Sequence, residues 1–437
     1  EEDCLYLNVF TRNIESCETD LKPIVVFFHG GAFLEGSSSL YGPRFLMTED
    51  IVLVTVNYRL GIFGFASSKD GKVSGNFGLK DQNMALRWIR KNIRKFCGDP
   101  ENVTIMGQSA GAASVHFHVL SPMSRGLFSK AISMSGFSEN LWVRGTRGSF
   151  EFVANKMGLL KNTTEETLSI LRETSSRSIL QSLYTDSLNL PIHEPYLYGV
   201  IIDGEFVVDE PMDLIRSGKY NKVPYFFGYT NKEGIIYHVF NILETGKLLV
   251  LTDFKEMLPK DLDMDMNEFE DAIKSFYFNS EDPSEKNCEN FVDLASDLWF
   301  RIGYEDVIKA HAKNGDMLYY YRFSADSKMN TFKRLSNITA AFTGASHEDD
   351  VRYLFNSDLT PNIEAGSRED VLIDKVIEFF VNFIKFGKPS DHWPRVTNDQ
   401  MFFCDIGDNL ICGKNPDRDR LDFWNNLYKK QGLKKAL

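Results

Sequence analysis

Gly107-Gln108-Ser109-Ala110-Gly111 sets a serine between glycines two residues away on either side. A serine hydroxyl acts as a nucleophile only where a sharp turn lifts it clear of its surroundings and a base can take its proton. Val103-Thr104-Ile105-Met106 reads as a short strand before the motif, and a small-residue helix follows it, which is the context such a turn needs. Glycines at 107 and 111 let neighbouring backbone pass without a Cβ clash. A nucleophilic serine also needs donors for the tetrahedral oxyanion. His29-Gly30-Gly31-Ala32-Phe33 closes the run 24–28, where adjacent glycines can turn two N–H groups into a cleft and the N–H of Ala110 completes the set. His29 itself reads as structural.

The base must come from histidines 29, 116, 118, 193, 238, 311, 347 and 392. His116 and His118 lie on the helix just after Ser109, too local to reach over its hydroxyl, and packing is the expected role. His347 sits in Gly344-Ala345-Ser346-His347-Glu348-Asp349-Asp350, a small-residue loop suited to holding an imidazole at a sheet edge. The acid should fall between Ser109 and His347, after another strand, in the chain order Ser, acid, His. Val223 to Gly228 is such a strand, and Glu233 in the segment after it is the candidate carboxylate. Asp203, in Ile201-Ile202-Asp203-Gly204, is the rival, although Asp-Gly more often makes a turn.

The elements that must position these groups follow from patterning. Ile24–Phe28 and Ile51–Val56 are continuous apolar, β-branched runs, as expected of strands buried on both faces. Leu79 to Phe96 is helical in pattern and stops at Gly98-Asp99-Pro100. Met317 to Phe323 reads as a further strand. Residues 369–387 form an amphipathic helix with Ile373, Val376, Ile377, Phe380 and Ile384 on one face, ended by Gly387 and Pro389. Strand and helix alternating in this way predict an α/β fold with a mostly parallel central sheet and helices on both faces. Residues 235–335 carry much of the acidic excess, as in Asp261-Leu262-Asp263-Met264-Asp265, and read as a helical, solvated subregion. No internal repeat or flexible linker divides the chain, and positions 109, 233 and 347 must meet in one site. One domain over 1–437 is therefore expected.

The 437 residues carry 49 Lys+Arg against 61 Asp+Glu, a net charge of −12, which disfavours nucleic acid as a partner. No apolar run is long enough to span a membrane. The six cysteines (4, 17, 97, 288, 404, 412) follow no metal-ligand spacing. Cys404 and Cys412 flank Gly407-Asp408-Asn409. A hairpin there would oppose the two sulfurs, and two reduced buried thiols are the alternative. Asn102, Asn162 and Asn337 head glycosylation sequons. Together these features lean towards a secreted protein, with the cytoplasm as the alternative.

At this point the residues carry a family resemblance. The chain resembles type-B carboxylesterases of the cholinesterase-like α/β-hydrolase group, insect carboxylesterases in particular. The resemblance rests on Glu2 to Val9, His29-Gly30-Gly31, Asn57-Tyr58-Arg59, Gly107 to Gly111, Ser135-Gly136, Glu233-Gly234 and Gly344 to Asp350. It implies Ser109 as nucleophile, His347 as base and Glu233 as acid, with Gly30, Gly31 and Ala110 as the oxyanion hole. It also implies Ser135 beside the acid, Trp142 lining the acyl pocket and Phe33 as a further pocket candidate. Gln108 stands where many relatives have Glu. With Asp81-Gln82 and Gly344-x-x-His347-x-x-Asp350 it resembles the motif set of juvenile hormone esterases, a set that general insect carboxylesterases share. Cys97 replaces a more usual glycine. Relatives carry a segment before the Glu-Asp-Cys-Leu run that supplies early strands and a partner for Cys4. The resemblance thus implies a chain recorded without those N-terminal strands.

The expected function is hydrolysis of small apolar carboxylic esters through an acyl-enzyme, with no metal or cofactor called for. Juvenile hormone esterase is the narrower alternative. A non-catalytic, partner-binding relative is the alternative from another class. The sequence leaves the oligomeric state open.

Overall fold

The computed structural model describes residues 2–430 apart from 13, 15–16, 18–19, 184–196, 251–253 and 255–265. The acidic run Asp261–Asp265 and His193 lie outside the described residues. Among the described residues nine strands form one sheet: β1 (Leu7–Phe10), β2 (Lys22–Phe28), β3 (Val52–Val56), β4 (Gly98–Gln108), β5 (Lys130–Met134), β6 (Tyr225–Thr230), β7 (Leu318–Phe323), β8 (Phe402–Ile406) and β9 (Leu410–Lys414). Their order is β1-β3-β2-β4-β5-β6-β7-β8-β9, antiparallel only at β1–β3 and β8–β9. This is the mostly parallel α/β sheet that the alternating pattern predicts and the α/β-hydrolase architecture that the resemblance implies.

Side chains alternate across the sheet as strand geometry requires. Val25 and Phe27 of β2 join Phe226, Tyr321 and the helix Arg368–Phe386 on one face. Ile24, Val26 and Phe28 pack with Leu86, Val115 and Ile308 on the other. All five residues named for the apolar face of the helix near the C-terminus are buried. The expected helix over 79–96 runs from Phe77 to Asn92 and tightens into a 3₁₀ turn over Ile93–Phe96.

β4 begins at Gly98, earlier than the short run 103–106. Its pairing with β2 jumps from Lys22↔Gly98 to Ile24↔Val103, so the added segment bulges. The pairing with β5 starts only at Thr104. One edge of the first half of β4 is therefore free of a neighbour, which is why Pro100, lacking an N–H, is tolerated there. Within 235–335 the helices are interrupted by β7, as the run Met317–Phe323 indicates.

Cys404 and Cys412 face each other across β8–β9 and form a disulfide, the hairpin alternative. A second disulfide, Cys17–Cys97, was not apparent from spacing. Cys97 sits at φ 61°, a left-handed conformation that explains the glycine usual at this point. Cys4 and Cys288 are free thiols. Among the described residues no helix is long and apolar enough to cross a membrane.

Candidate active site

The three sequence-predicted groups lie beyond the C-terminal ends of parallel strands, where ligands bind in open α/β sheets. Ser109 follows β4 directly and has φ 55° and ψ −120°, a strained backbone for a residue with a side chain. The close packing of the turn demands its glycines. A Cβ on Gly107 would overlap the Gly111 carbonyl, and one on Gly111 would overlap the Phe28 carbonyl at the end of β2. Ala110 opens the helix Ala110–Leu120, so its N–H has no intrahelical acceptor and remains available to a ligand.

His347 and Glu233 are brought together: Nδ1 of His347 lies 2.5 Å from Oε2 of Glu233. The other carboxylate oxygen accepts from the Ser135 hydroxyl at 2.6 Å and the Thr230 N–H at 2.7 Å. A carboxylate can only accept, so the imidazole proton sits on Nδ1 and Nε2 carries the lone pair. That lone pair meets the amide nitrogen of Gln108 at 3.0 Å, one residue from Ser109. His347 therefore faces the elbow, with the Gln108 amide rather than the Ser109 hydroxyl as its partner. Ser109 and His347 each keep 9% of their surface exposed while Glu233 keeps none, so Ser109 and His347 remain reachable and Glu233 does not. Burial disfavours charge on His347, but the charge and hydrogen bond of Glu233 outweigh it and hold the imidazole pKa above the ordinary histidine value.

Gly30 and Gly31 follow β2, and Gly30 packs against the same turn. A Cβ on Gly30 would collide with the Gln108 side-chain oxygen and come within 3.1 Å of Ser109 Cβ. Gly31, Ala32 and Phe33 all have positive φ (112°, 53° and 62°), so the loop is tightly coiled. His29 lies beneath it, with Nδ1 2.8 Å from the Gly30 oxygen and its ring stacked on Tyr58. Burial pushes its pKa down to about 4, which fits a neutral structural group.

Among the described residues, the other histidines bond elsewhere or lie exposed. His116 contacts His311 at 3.1 Å, and His118 contacts Ser124 and Gln82 at 2.8 and 3.1 Å. His238 bonds the Cys288 carbonyl, and His392 is exposed. Asp203, the rival acid, accepts from the N–H groups of Glu205, Phe206 and Val207 and pairs with Lys80, so it builds a turn away from His347. The Arg59 and Asp81 of the resemblance form a two-pronged ion pair at 2.7 Å, so these motif residues are scaffold.

Sequence reasoning reached two rings of the aromatic wall, Trp142 and Phe33, through the resemblance and missed Phe300. Asp297–Arg301 forms a π-helix, a feature frequent at functional sites, and sets the Phe300 ring 4.5 Å from the His347 ring. Trp142 donates its indole N–H to the Trp299 carbonyl at 2.8 Å, and Asn140 donates to the carbonyls of Trp299 and Phe300. Trp142 lies between Phe300 at 6.2 Å and Phe33 at 6.4 Å. A one-residue expansion of a helix leaves no periodic signal, so only Trp142 and Phe33 were legible. Asp350, the last residue of the Gly-x-x-His-x-x-Asp pattern, accepts from Tyr321 OH at 2.7 Å. Burial pushes its pKa up to about 7.

A strained serine at a strand–helix turn, beside a buried histidine–carboxylate pair on this sheet, defines a serine hydrolase class of site. The Carboxylesterase family model matches residues 1–424, and the chain belongs to that family. It is a serine carboxylesterase, a carboxylic ester hydrolase. It is 32% identical over 425 residues to the juvenile hormone esterase of Tribolium castaneum, covering 90% of this chain and 71% of that protein. To esterase E4 of Myzus persicae it is 34% identical over 409 residues, covering 89% and 73%. The crystal structure of juvenile hormone esterase from Manduca sexta, with OTFP covalently attached, superposes with TM-score 0.84 at 27% identity. It covers 98% of this chain and 84% of that one.

Proposed function

We propose that Ser109, His347 and Glu233 form the catalytic triad, with the N–H groups of Gly30, Gly31 and Ala110 as oxyanion hole. The observation that carries this reading is the 2.5 Å bond between His347 and Glu233, set beside the strained Ser109. His347 takes the serine proton as the hydroxyl attacks the ester carbonyl. Imidazolium is stabilised by Glu233, and its Nε2–H then protonates the departing alcohol. For attack to start, the Gln108 amide must yield Nε2 to the serine hydroxyl. Water, activated by the same imidazole, releases the acid from the acyl-enzyme. The aromatic wall of Trp142, Phe300 and Phe33 supports a small, apolar acyl group. Labelling with a fluorophosphonate tests the assignment: the adduct should map to Ser109 and vanish in Ser109→Ala, and an intact wild-type chain without adduct would falsify it.

The substrate reading is a general or detoxifying esterase, supported by similarity to the aphid esterase as well as to the hormone esterases. Turnover of juvenile hormone against short naphthyl esters decides it, because a strong preference for the hormone overturns the general reading. The described strands from Leu7 to Lys414 share one sheet, which supports one α/β-hydrolase unit over 1–437 with its helical acidic subregion at 235–335. The two disulfides support residence outside the cell. Asn162 and Asn337 are exposed and suited to glycosylation, whereas Asn102 is half-buried beside Lys130.

A further inference from the structure

We infer that Lys333 and Asp326 act as a clamp that positions His347 for ester hydrolysis, a role that rests on the reading of His347 as the base. Lys333 lies in the short helix Thr331–Leu335 with its side chain wholly buried. Its ammonium pairs with Oδ1 of Asp326 at 2.6 Å and donates to the carbonyls of Gly344 at 2.6 Å and Phe342 at 3.4 Å. The other oxygen of Asp326 accepts the N–H of Gly344 at 2.8 Å. One ion pair therefore holds the peptide groups on both sides of Gly344, three residues before His347.

The held segment is pressed directly onto the segment that carries the acid. Ala345 donates its N–H to Asn231 Oδ1 at 2.8 Å, and its carbonyl accepts from the Lys232 N–H at 3.0 Å. Gly344 has φ 89°, and a Cβ there would come within 2.9 Å of both Asn231 and Lys232. Lys232 immediately precedes Glu233. The clamp, the acid segment and the loop of the base thus form one hydrogen-bonded unit, although the base lies on a loop outside the strand ladder.

Stability is a poor reason for a lysine at this position. Burying an ammonium carries a large desolvation cost, and a buried ion pair is often no better than apolar residues of the same volume. What an apolar residue cannot do is hold two carbonyl oxygens and a carboxylate at fixed separations. The tetrahedral ammonium offers three donors, and three acceptors face it here. Chemistry at His347 is sensitive to such placement, since a shift of about 1 Å in a reacting group can cost about 100-fold in rate.

The test uses Lys333→Met, which keeps volume and removes the donors, and Asp326→Asn, which removes the charge at a partly exposed position, both in the full chain. With a naphthyl acetate substrate, each variant should lose about 30- to 100-fold in kcat while KM stays within about 3-fold. Titration with a fluorophosphonate should still count one reactive serine per folded chain, labelled more slowly. A folded Lys333→Met with kcat within about 3-fold of wild type overturns the clamp. So does a loss explained wholly by fewer titratable sites. If Lys333→Met does not fold, Asp326→Asn decides by the same criteria. A wild-type chain that takes no label at Ser109 overturns the triad and the clamp with it, whereas normal labelling with unaffected variants overturns the clamp alone.

Discussion

Gln108 donates its amide to the lone pair of His347 that takes the serine proton in the proposed mechanism. A carboxylate at the same place could not donate, but it would stabilise the imidazolium. Gln108→Glu should therefore raise the pKa of His347. The base proposed here works only when neutral, so kcat/KM should fall as pH drops through that pKa, and in Gln108→Glu the fall should begin about one unit higher, read from the pH–rate profile. Glu233→Gln tests the opposite sign. It removes the negative charge that holds the His347 pKa up, so the acidic limb should move to lower pH. It also leaves the forming imidazolium unsupported, and kcat should fall by about 10²- to 10⁴-fold. A Glu233→Gln variant with an unmoved acidic limb would show that the 2.5 Å contact does not govern the base.

Cys97 ends the 3₁₀ turn Ile93–Phe96 in a left-handed conformation and is joined to Cys17 across 80 residues of sequence. The conformation costs about 1–2 kcal/mol for a residue with a Cβ. Closing a loop of that length is worth about 4 kcal/mol through the unfolded chain, so the disulfide outweighs the strain. Two substitutions separate the terms. Cys97→Ser should lose the cross-link and keep the strain, lowering the unfolding free energy by about 4 kcal/mol. Cys97→Gly should lose the cross-link but relieve the strain, so it should melt at a higher temperature than Cys97→Ser. Equal melting temperatures would mean that the backbone at 97 relaxes once the disulfide is gone.

Across the whole molecule, the π-helix that holds Phe300 against His347 is tied to the start of the helix Arg418–Lys430 by a buried ionic cluster. Arg301 pairs with Asp297 at 2.7 Å and Asp417 at 3.1 Å, and Arg420 pairs with Asp293 at 2.6 Å and Asp417 at 3.3 Å. Burial would raise the pKa of Asp417, but Arg301 and Arg420 overcome it and hold the carboxyl down to about 2. A depressed carboxylate contributes stability that is complete above its unfolded value of about 3.9 and is lost as pH falls through the folded value. Arg301→Met removes the more deeply buried of the two cations that Asp297 and Asp417 share, leaving only Arg420 between them. It should destabilise the fold by about 3–5 kcal/mol at neutral pH and move acid unfolding upward, as circular dichroism against pH would show. An unchanged acid transition would place the low-pH stability elsewhere.

The sequence alone determined the serine turn, the tight glycine loop after β2, the parallel sheet and the amphipathic helix, because each follows from local periodicity or from a backbone that only certain residues can adopt. Gly107 and Gly111 had to be small for one turn to close, and that demand is readable without coordinates. Tertiary structure alone decided which contacts join positions distant in the chain. These include the Cys17–Cys97 bridge, the Gln108–His347 contact, the π-helix wall and the grip of Lys333 on Gly344. Such pairings carry no spacing signal, since they depend on how strand ends and loops converge above the sheet. A charged residue such as Lys333 reads in sequence as solvated surface, and only packing reveals that its ammonium is enclosed among three oxygens.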